Sequence, residues 1–324
     1  MKKIKKRWKF LIAFVIFVML VWLNNTNLFS DKTGTHKWLA HRGLAQTFDI
    51  SEVEWDTNTA AIIYEPEHHY LENTLESMIK AFEHGAHMVE CDIQRTKDNQ
   101  LAVFHDSDLA MRTNGSGMVK DKTMDALKQL DIGYGYTADG GETYPFRGKG
   151  VGLMPELTEV LEQFPDQALL IDLKDGDLET AKILWTYLKD KPPERLNQIN
   201  VYGSHGSMLY LREQSNTLRV LSKKKLKQAL LQYELIGWTG YVPKAIHNME
   251  LHIPLTYAKY LWGWPHKFVE RMNAVNTTVV IVEGNGKWSE GFDSKESLEK
   301  IPKGFTGYIW TNRIDRVGPI GGNE

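Results

Sequence analysis

Short apolar runs with strand character alternate with amphipathic helical runs along most of this chain. That alternation limits the fold more than any other feature of the sequence. Strand-like segments are expected at 37–43, 89–93, 101–104, 168–174, 199–205, 218–222, 249–255, 277–284 and 306–312. Helical periodicity falls between many of them, at 72–86, 154–164, 178–188, 225–235 and 267–275. In the first helix Leu75, Met78, Ile79 and Phe82 share one face, Asn73 or Thr74 can cap the start, and Gly85 ends it. Strand–helix alternation without a Pro-, Gly- or Ser-rich linker predicts one α/β domain with a parallel sheet covered by helices. A strand count near eight fits a closed (β/α)₈ barrel better than an open sheet, and such a barrel keeps its chemistry at the carboxyl ends of its strands. His41, Glu90, Asp92, His105, Asp172 and Lys174 all fall at or near those ends, with Arg42 beside the first.

The stretch "MVECDIQRTKDNQLAVFHD" (88–106) reads as two strands joined by a turn at Asp98 and Asn99. Side chains alternate along a strand, so Glu90 and Asp92 share one face and Cys91 points the other way, into the helix layer. Two carboxylates side by side at low dielectric cannot both ionise without compensation. A hard divalent cation bound through oxygen ligands supplies it. Cys91 is the only cysteine of the chain, so no internal disulfide can form.

The first nine residues hold six cations, Lys2, Lys3, Lys5, Lys6, Arg7 and Lys9, and an apolar run follows over 10–23. This is the layout of an export signal or signal-anchor. The run is short against the ~20 residues of a full span. No small-residue cleavage site follows it, which favours a retained anchor over a cleaved signal. The cations are expected on the cytoplasmic side and the body of the chain outside. Residues 24–36 read as a polar linker, and 37–324 as the catalytic region. Removing the six cations from the 39 basic residues leaves 33 against 41 acidic ones. A body this acidic has no basic surface with which to bind nucleic acid.

The motifs form an ordered set: "HRG" at 41–43, "ENT" at 72–74, "ECD" at 90–92, "FHD" at 104–106, "RTNGSG" at 112–117, "MPELTEVL" at 154–161 and "IDLK" at 171–174. Together they resemble the glycerophosphodiester phosphodiesterase family, densely from 41 to 174 and more loosely as far as "IWTN" at 309–312. The resemblance implies a TIM barrel with an insertion after the third strand, about 107–152. It implies hydrolysis of glycerophosphodiesters to glycerol 3-phosphate and an alcohol. It also implies one divalent cation, Ca²⁺ or Mg²⁺, held by Glu90, Asp92 and Asp172, and His41 and His105 as the general acid/base pair. The family usually has Glu where this chain has Asp172, which shortens the reach by about 1.5 Å. The stretch 44–71 is longer than usual and carries adjacent His68 and His69; a loop over the site is expected there rather than a second metal site.

A phosphodiester is an anion, so attack on phosphorus calls for charge neutralisation. Arg42 and Lys174 can supply it beside a cation. A poor alkoxide leaving group needs a proton and the nucleophile must lose one, which two histidines near neutrality can provide. Glu72 is placed with the substrate-binding groups, where it can orient a histidine or the glycerol, or add to the metal shell. A lysophospholipase D acting on membrane lysolipids is the nearest alternative, and a non-catalytic binding module of the same fold a more distant one.

Overall fold

The computed structural model describes every residue except Met1, Trp55, Ser289 and 322–324. The first residue of the cationic stretch and the last three of the expected catalytic region therefore lie outside the described residues. The strands are β1 (Lys37–Ala40), β2 (Met88–Arg95), β3 (Leu101–Val103), β4 (Ala168–Leu173), β5 (Ile199–Tyr202), β6 (Arg219–Leu221), β7 (Glu250–Pro254), β8 (Thr278–Val282) and β9 (Tyr308–Thr311). Among the described residues eight of them form one parallel sheet in the order β6-β5-β4-β2-β1-β9-β8-β7. The ends meet where the Val220 amide donates to the Asn248 carbonyl at 3.4 Å, so the sheet is a nearly closed barrel. This is the (β/α)₈ barrel that the alternation predicts.

β3 is not a barrel strand. It returns antiparallel along β2, with Ile93 opposite Val103 and Arg95 opposite Leu101. The Asp98–Asn99 turn allows this, since Asn99 takes the left-handed conformation at φ 59°. Residues 107–152 follow β3 as an insertion at the carboxyl end of the barrel. It has its own core, in which Leu109, Val119, Leu127, Ile132, Tyr136 and Phe146 pack against Phe104 and Met154.

Period-two alternation divides the strands as expected. Leu39, Met88, Leu170, Val280 and Trp310 fill the barrel interior. Cys91, Ile171, Val201, Ile281 and Ile309 face the helices, and Cys91 is fully buried there. Four fully buried side chains at about 1.5–3 kcal/mol each would already match a typical net stability, and conformational entropy opposes the rest.

The first helix of the barrel starts at Leu75 rather than 72. Asn73 sits at φ 59°, and Thr74 caps the helix in a reciprocal pair with Ser77. The "ENT" residues are thus a loop folded over the barrel mouth. His205, expected at a strand end, begins a further helix, His205–Gln214, capped by Ser204. Its mixed surface carries little periodicity.

At the amino terminus Lys2–Asn25 is one continuous helix. Its stretch Lys6–Asn25 is long and apolar enough to cross a membrane, by length and composition. The 14-residue apolar run is therefore extended by helical turns on both sides.

Candidate active site

His41 is the first residue beyond β1, and its amide donates to the Thr311 carbonyl at 2.9 Å, which carries the β1–β9 pairing one step further. Arg42 then turns sharply, at φ 58°, and sends its side chain back across the mouth. The Arg42 guanidinium reaches Glu72 at 2.7 Å and Asp92 at 3.1 Å, and its backbone amide donates to Glu90 at 3.0 Å. Gly43 continues the turn at φ 77°, where a Cβ would lie 2.5–2.9 Å from Ser77 and Met78. Only glycine fits that approach.

Glu90, Asp92 and Asp172 converge. Each is buried and offers one carboxylate oxygen, and these oxygens all lie within 4.8 Å of one another. β2 and β4 place Asp92 directly beside Asp172 in register. The shorter side chain of Asp172 therefore still joins the cluster. Lys174 stands at its edge, 2.9 Å from Asp172 and 3.2 Å from Asp92. Asn73 donates to Asp92 Oδ2 at 2.9 Å and accepts from the Asp92 amide at 3.1 Å. Asp92 Oδ1 is buried and makes no hydrogen bond, its contact being the Lys174 ion pair at 3.2 Å.

Burial and the neighbouring Asp92 push the Glu90 carboxyl well above the usual carboxylate range. Burial also raises Asp172. Asp92 is held well below the range, because Lys174 and Arg42 outweigh its burial. Five buried carboxylates (Glu72, Glu90, Asp92, Asp106 and Asp172) face three cations (Arg42, Arg112 and Lys174). With all five ionised the deficit would be two, the charge of one divalent cation, and an all-oxygen donor set suits Ca²⁺ or Mg²⁺. The residues present fit such an ion. Among the described residues His68 and His69 belong to no metal-holding group. Gln46 bridges to the His68 and Tyr70 carbonyls at 3.0 and 2.9 Å and holds that loop in place.

The two histidines have different partners. His41 Nδ1 lies 2.7 Å from Asn312 Oδ1. The Asn312 amide is fixed in turn, since its Nδ2 donates to Asp293 at 2.8 Å and its backbone amide to the same carboxylate at 2.7 Å. With its NH₂ directed at Asp293, Asn312 presents oxygen to His41. His41 then carries its proton on Nδ1 and leaves Nε2 as an acceptor. Burial and the Arg42 charge push the His41 pKa down to about 3. His105 instead meets a carboxylate, with Nδ1 2.8 Å from Asp106. Burial lowers its pKa too, and Arg42 adds to the shift, while Asp92 and Asp106 oppose it. Gln94 brackets this histidine by donating to the Phe104 and Asp106 carbonyls at 3.0 and 2.8 Å.

Sequence reasoning assigned no role to Arg112, Asn312, Asp293 or the far wall of the mouth. Arg112 comes from the insertion, is buried, and pairs with Asp106 and with Glu72 at 2.9 Å. It links the two loops that carry Glu72 and His105. Trp310 lies 4.6 Å from the His41 ring and 5.3 Å from His252, which stacks on Tyr202 at 6.4 Å. His252 also pairs with Glu250, a fully buried carboxylate on β7. Arg112 and Asn312 stood inside quoted motifs, which was the one signal available. Asp293 and His252 had none.

The parallel barrel carries two histidines above a buried acidic cluster, and solved structures share the barrel fold. The glycerophosphoryl diester phosphodiesterase domain of an uncharacterized Mycobacterium tuberculosis protein superposes with a TM-score of 0.61 at 17% identity, over 88% of this chain and 99% of that one. A glycerophosphodiester phosphodiesterase from Agrobacterium tumefaciens gives 0.56 at 18% identity, over 88% and 99%. The model of the Glycerophosphoryl diester phosphodiesterase family matches residues 41–253, more than half of the chain, and the chain belongs to that family. Among curated relatives, the glycerophosphodiester phosphodiesterase of Caldanaerobacter subterraneus subsp. tengcongensis is 33% identical over 129 residues, 40% of this chain and 48% of the relative. That of Bacillus subtilis is 41% identical over 118 residues, 35% of this chain and 37% of the relative. The chain thus spans less than half of the length of these two curated relatives.

Proposed function

We propose that this chain is a metal-dependent phosphoric diester hydrolase that cleaves glycerophosphodiesters to glycerol 3-phosphate and an alcohol. The convergence of Glu90, Asp92 and Asp172 beneath two histidines with unlike partners carries this reading. Glu90, Asp92 and Asp172 would hold the cation, Ca²⁺ or Mg²⁺, which when bound supplies charge neutralisation to the phosphodiester. Arg42 and Lys174 bind the remaining phosphate charge, and Glu72 holds Arg42 in place.

His41 is the base. Its Nδ1 proton is committed to a neutral amide, so Nε2, which accepts from Arg42 Nε at 3.1 Å, is the nitrogen that takes the proton of a water or of the substrate's own glycerol hydroxyl once Arg42 turns to the phosphate. His105 is the acid. Burial and Arg42 disfavour its imidazolium form, and Asp106 is the carboxylate partner that supports that form when His105 takes up a proton. The proton that His105 holds then goes to the departing alkoxide. The apolar helix is read as a membrane anchor, residues 24–36 as the linker and 37–324 as the catalytic region, on the extracytoplasmic side by the positive-inside rule. Incubation of the purified chain with glycerophosphocholine tests the reading: glycerol 3-phosphate and choline should form together. Release of phosphocholine and glycerol instead would place the cleaved bond on the other side of phosphorus and reject it.

A further inference from the structure

The carboxyl end of the apolar helix is fastened to the barrel. Asn24 and Asn25 donate to the Trp238 carbonyl at 3.1 and 2.8 Å, and Arg271 returns bonds to Asn24 and Asn25 at 2.8 and 3.0 Å. Asn27 is held by the Trp264 carbonyl and the Lys267 amide. The contact extends up the helix. Phe17 lies edge-on to Trp238 with ring centroids 5.5 Å apart, eight residues and so about 12 Å before Asn25. A groove between the helix and the barrel is lined by Phe17, Val18, Val21, Trp22 and Trp262.

The fastening lies toward the amino ends of the barrel strands. Trp238 sits in the segment that leads into the amino end of β7, and Arg271 near the end of the helix His266–Asn273 that leads into β8. The linker keeps to that end as well. A Cβ on Gly304 would meet Lys32, one on Gly34 would meet Thr306, and the Lys37 amide donates to the Gly307 carbonyl. His41, His105 and Lys174 are all at the opposite, carboxyl ends of the strands.

Beside the fastening the barrel exposes apolar side chains that its core does not need. Leu231 and Leu235 are 58% and 67% exposed on the helix Lys223–Ile236, and Ile236, Tyr241 and Trp262 are exposed next to them. Lys227 lies one turn before Leu231 on the same helix stripe, and Lys244 is exposed close by. Exposed apolar and aromatic side chains with a flanking lysine suit a lipid interface, although Glu234 is exposed on the same helix.

We propose that this flank of the barrel rests in the lipid headgroup layer beside the apolar helix, and that the catalytic mouth opens away from the bilayer. The proposal rests on the reading that Lys6–Asn25 is embedded in a membrane. With Asn24 and Asn25 at the headgroup level, the Trp238 backbone lies there with them and its ring reaches down the helix toward Phe17. The site is then supplied from the water phase. Its substrates are water-soluble glycerophosphodiesters, and a lysolipid lying in the same bilayer is on the wrong side of the barrel.

The buried Cys91 leaves the surface clear for single-cysteine labelling. Leu235→Cys, Tyr241→Cys and, on the mouth-side insertion, Met118→Cys would each carry a spin label in the full chain, reconstituted in vesicles of phosphatidylcholine and phosphatidylglycerol. Positions 235 and 241 should collide readily with dissolved oxygen and be at least tenfold shielded from a water-soluble nickel chelate. Position 118 should be open to the chelate. A lipid-immersed 118, or chelate access at 235 and 241 equal to that at 118, overturns the orientation. A chain that fails to float with the vesicles overturns the anchor itself, a separately recognisable result. Turnover of glycerophosphocholine should exceed that of vesicle-bound lysophosphatidylcholine at least tenfold, and equal rates would contradict the substrate assignment.

Discussion

The Asn312–Asp293 pair makes the base assignment testable. In Asn312→Ala the His41 Nδ1 proton loses its acceptor at 2.7 Å, while Asp293 keeps the Thr311 hydroxyl and the residue-312 amide. Loss of one buried hydrogen bond costs about 1 kcal/mol, and about 3 kcal/mol if the orphaned N–H stays dry. If that cost falls on the transition state, kcat drops about 5- to 150-fold. KM should change little, because Arg42, Lys174 and the cation bind the phosphate. Steady-state kinetics on glycerophosphocholine, with thermal denaturation as a check of folding, measure both. A nitrophenyl diester departs without a proton, so it should restore a His105 variant and leave Asn312→Ala impaired. Asp293→Asn should act through the same amide, and the double variant should be little worse than Asn312→Ala alone. Multiplicative losses, or rescue of Asn312→Ala by the good leaving group, would refute the assignment of His41 as base.

Further outcomes follow from the same geometry. His41→Ala and His105→Ala should each lower turnover on the natural diester about 10²- to 10⁴-fold, and near-normal rates in either variant would make that histidine structural. Asp172→Ala should weaken cation binding measured by calorimetry and Asp172→Glu should retain it, whereas unchanged affinity in Asp172→Ala would put the third ligand elsewhere. Arg112→Met strands Asp106 and Glu72 and should cost about 3–5 kcal/mol in urea unfolding. Asp106 is held below the ordinary carboxylate range, burial being outweighed by Arg112 and His105. Its stabilising share is present above the unfolded value of about 3.9 and lost as pH falls through the folded one. Acid unfolding should therefore be shallower in Arg112→Met, and an unchanged slope would remove the pair from the stability account.

The barrel was legible because its strands obey period two, with buried faces on both sides, and its helices period 3.6. The carboxylate cluster was legible because a strand puts Glu90 and Asp92 on one face by construction. The loops over the mouth were not. Glu72 and Asn73 look like a helix start, and only the positive φ at Arg42 and Asn73 turns them into a cover over the carboxylates. The partner of His41 lies 271 residues away in sequence, and no local pattern announces such a contact. Arg112 stands in the quoted "RTNGSG" with no role to read from it, until the insertion folds it against Tyr136 and two acids.

Hydrolysis of glycerophosphocholine followed by ³¹P NMR, with the purified full chain in millimolar Ca²⁺ or Mg²⁺ and again in excess EDTA, addresses the central claim most directly. The diester resonance should give way to that of glycerol 3-phosphate with the cation, stay unchanged with the chelator, and convert again when the cation is restored. Equal conversion in EDTA would contradict the role given to Glu90, Asp92 and Asp172, and no conversion under any condition would contradict the hydrolase reading itself.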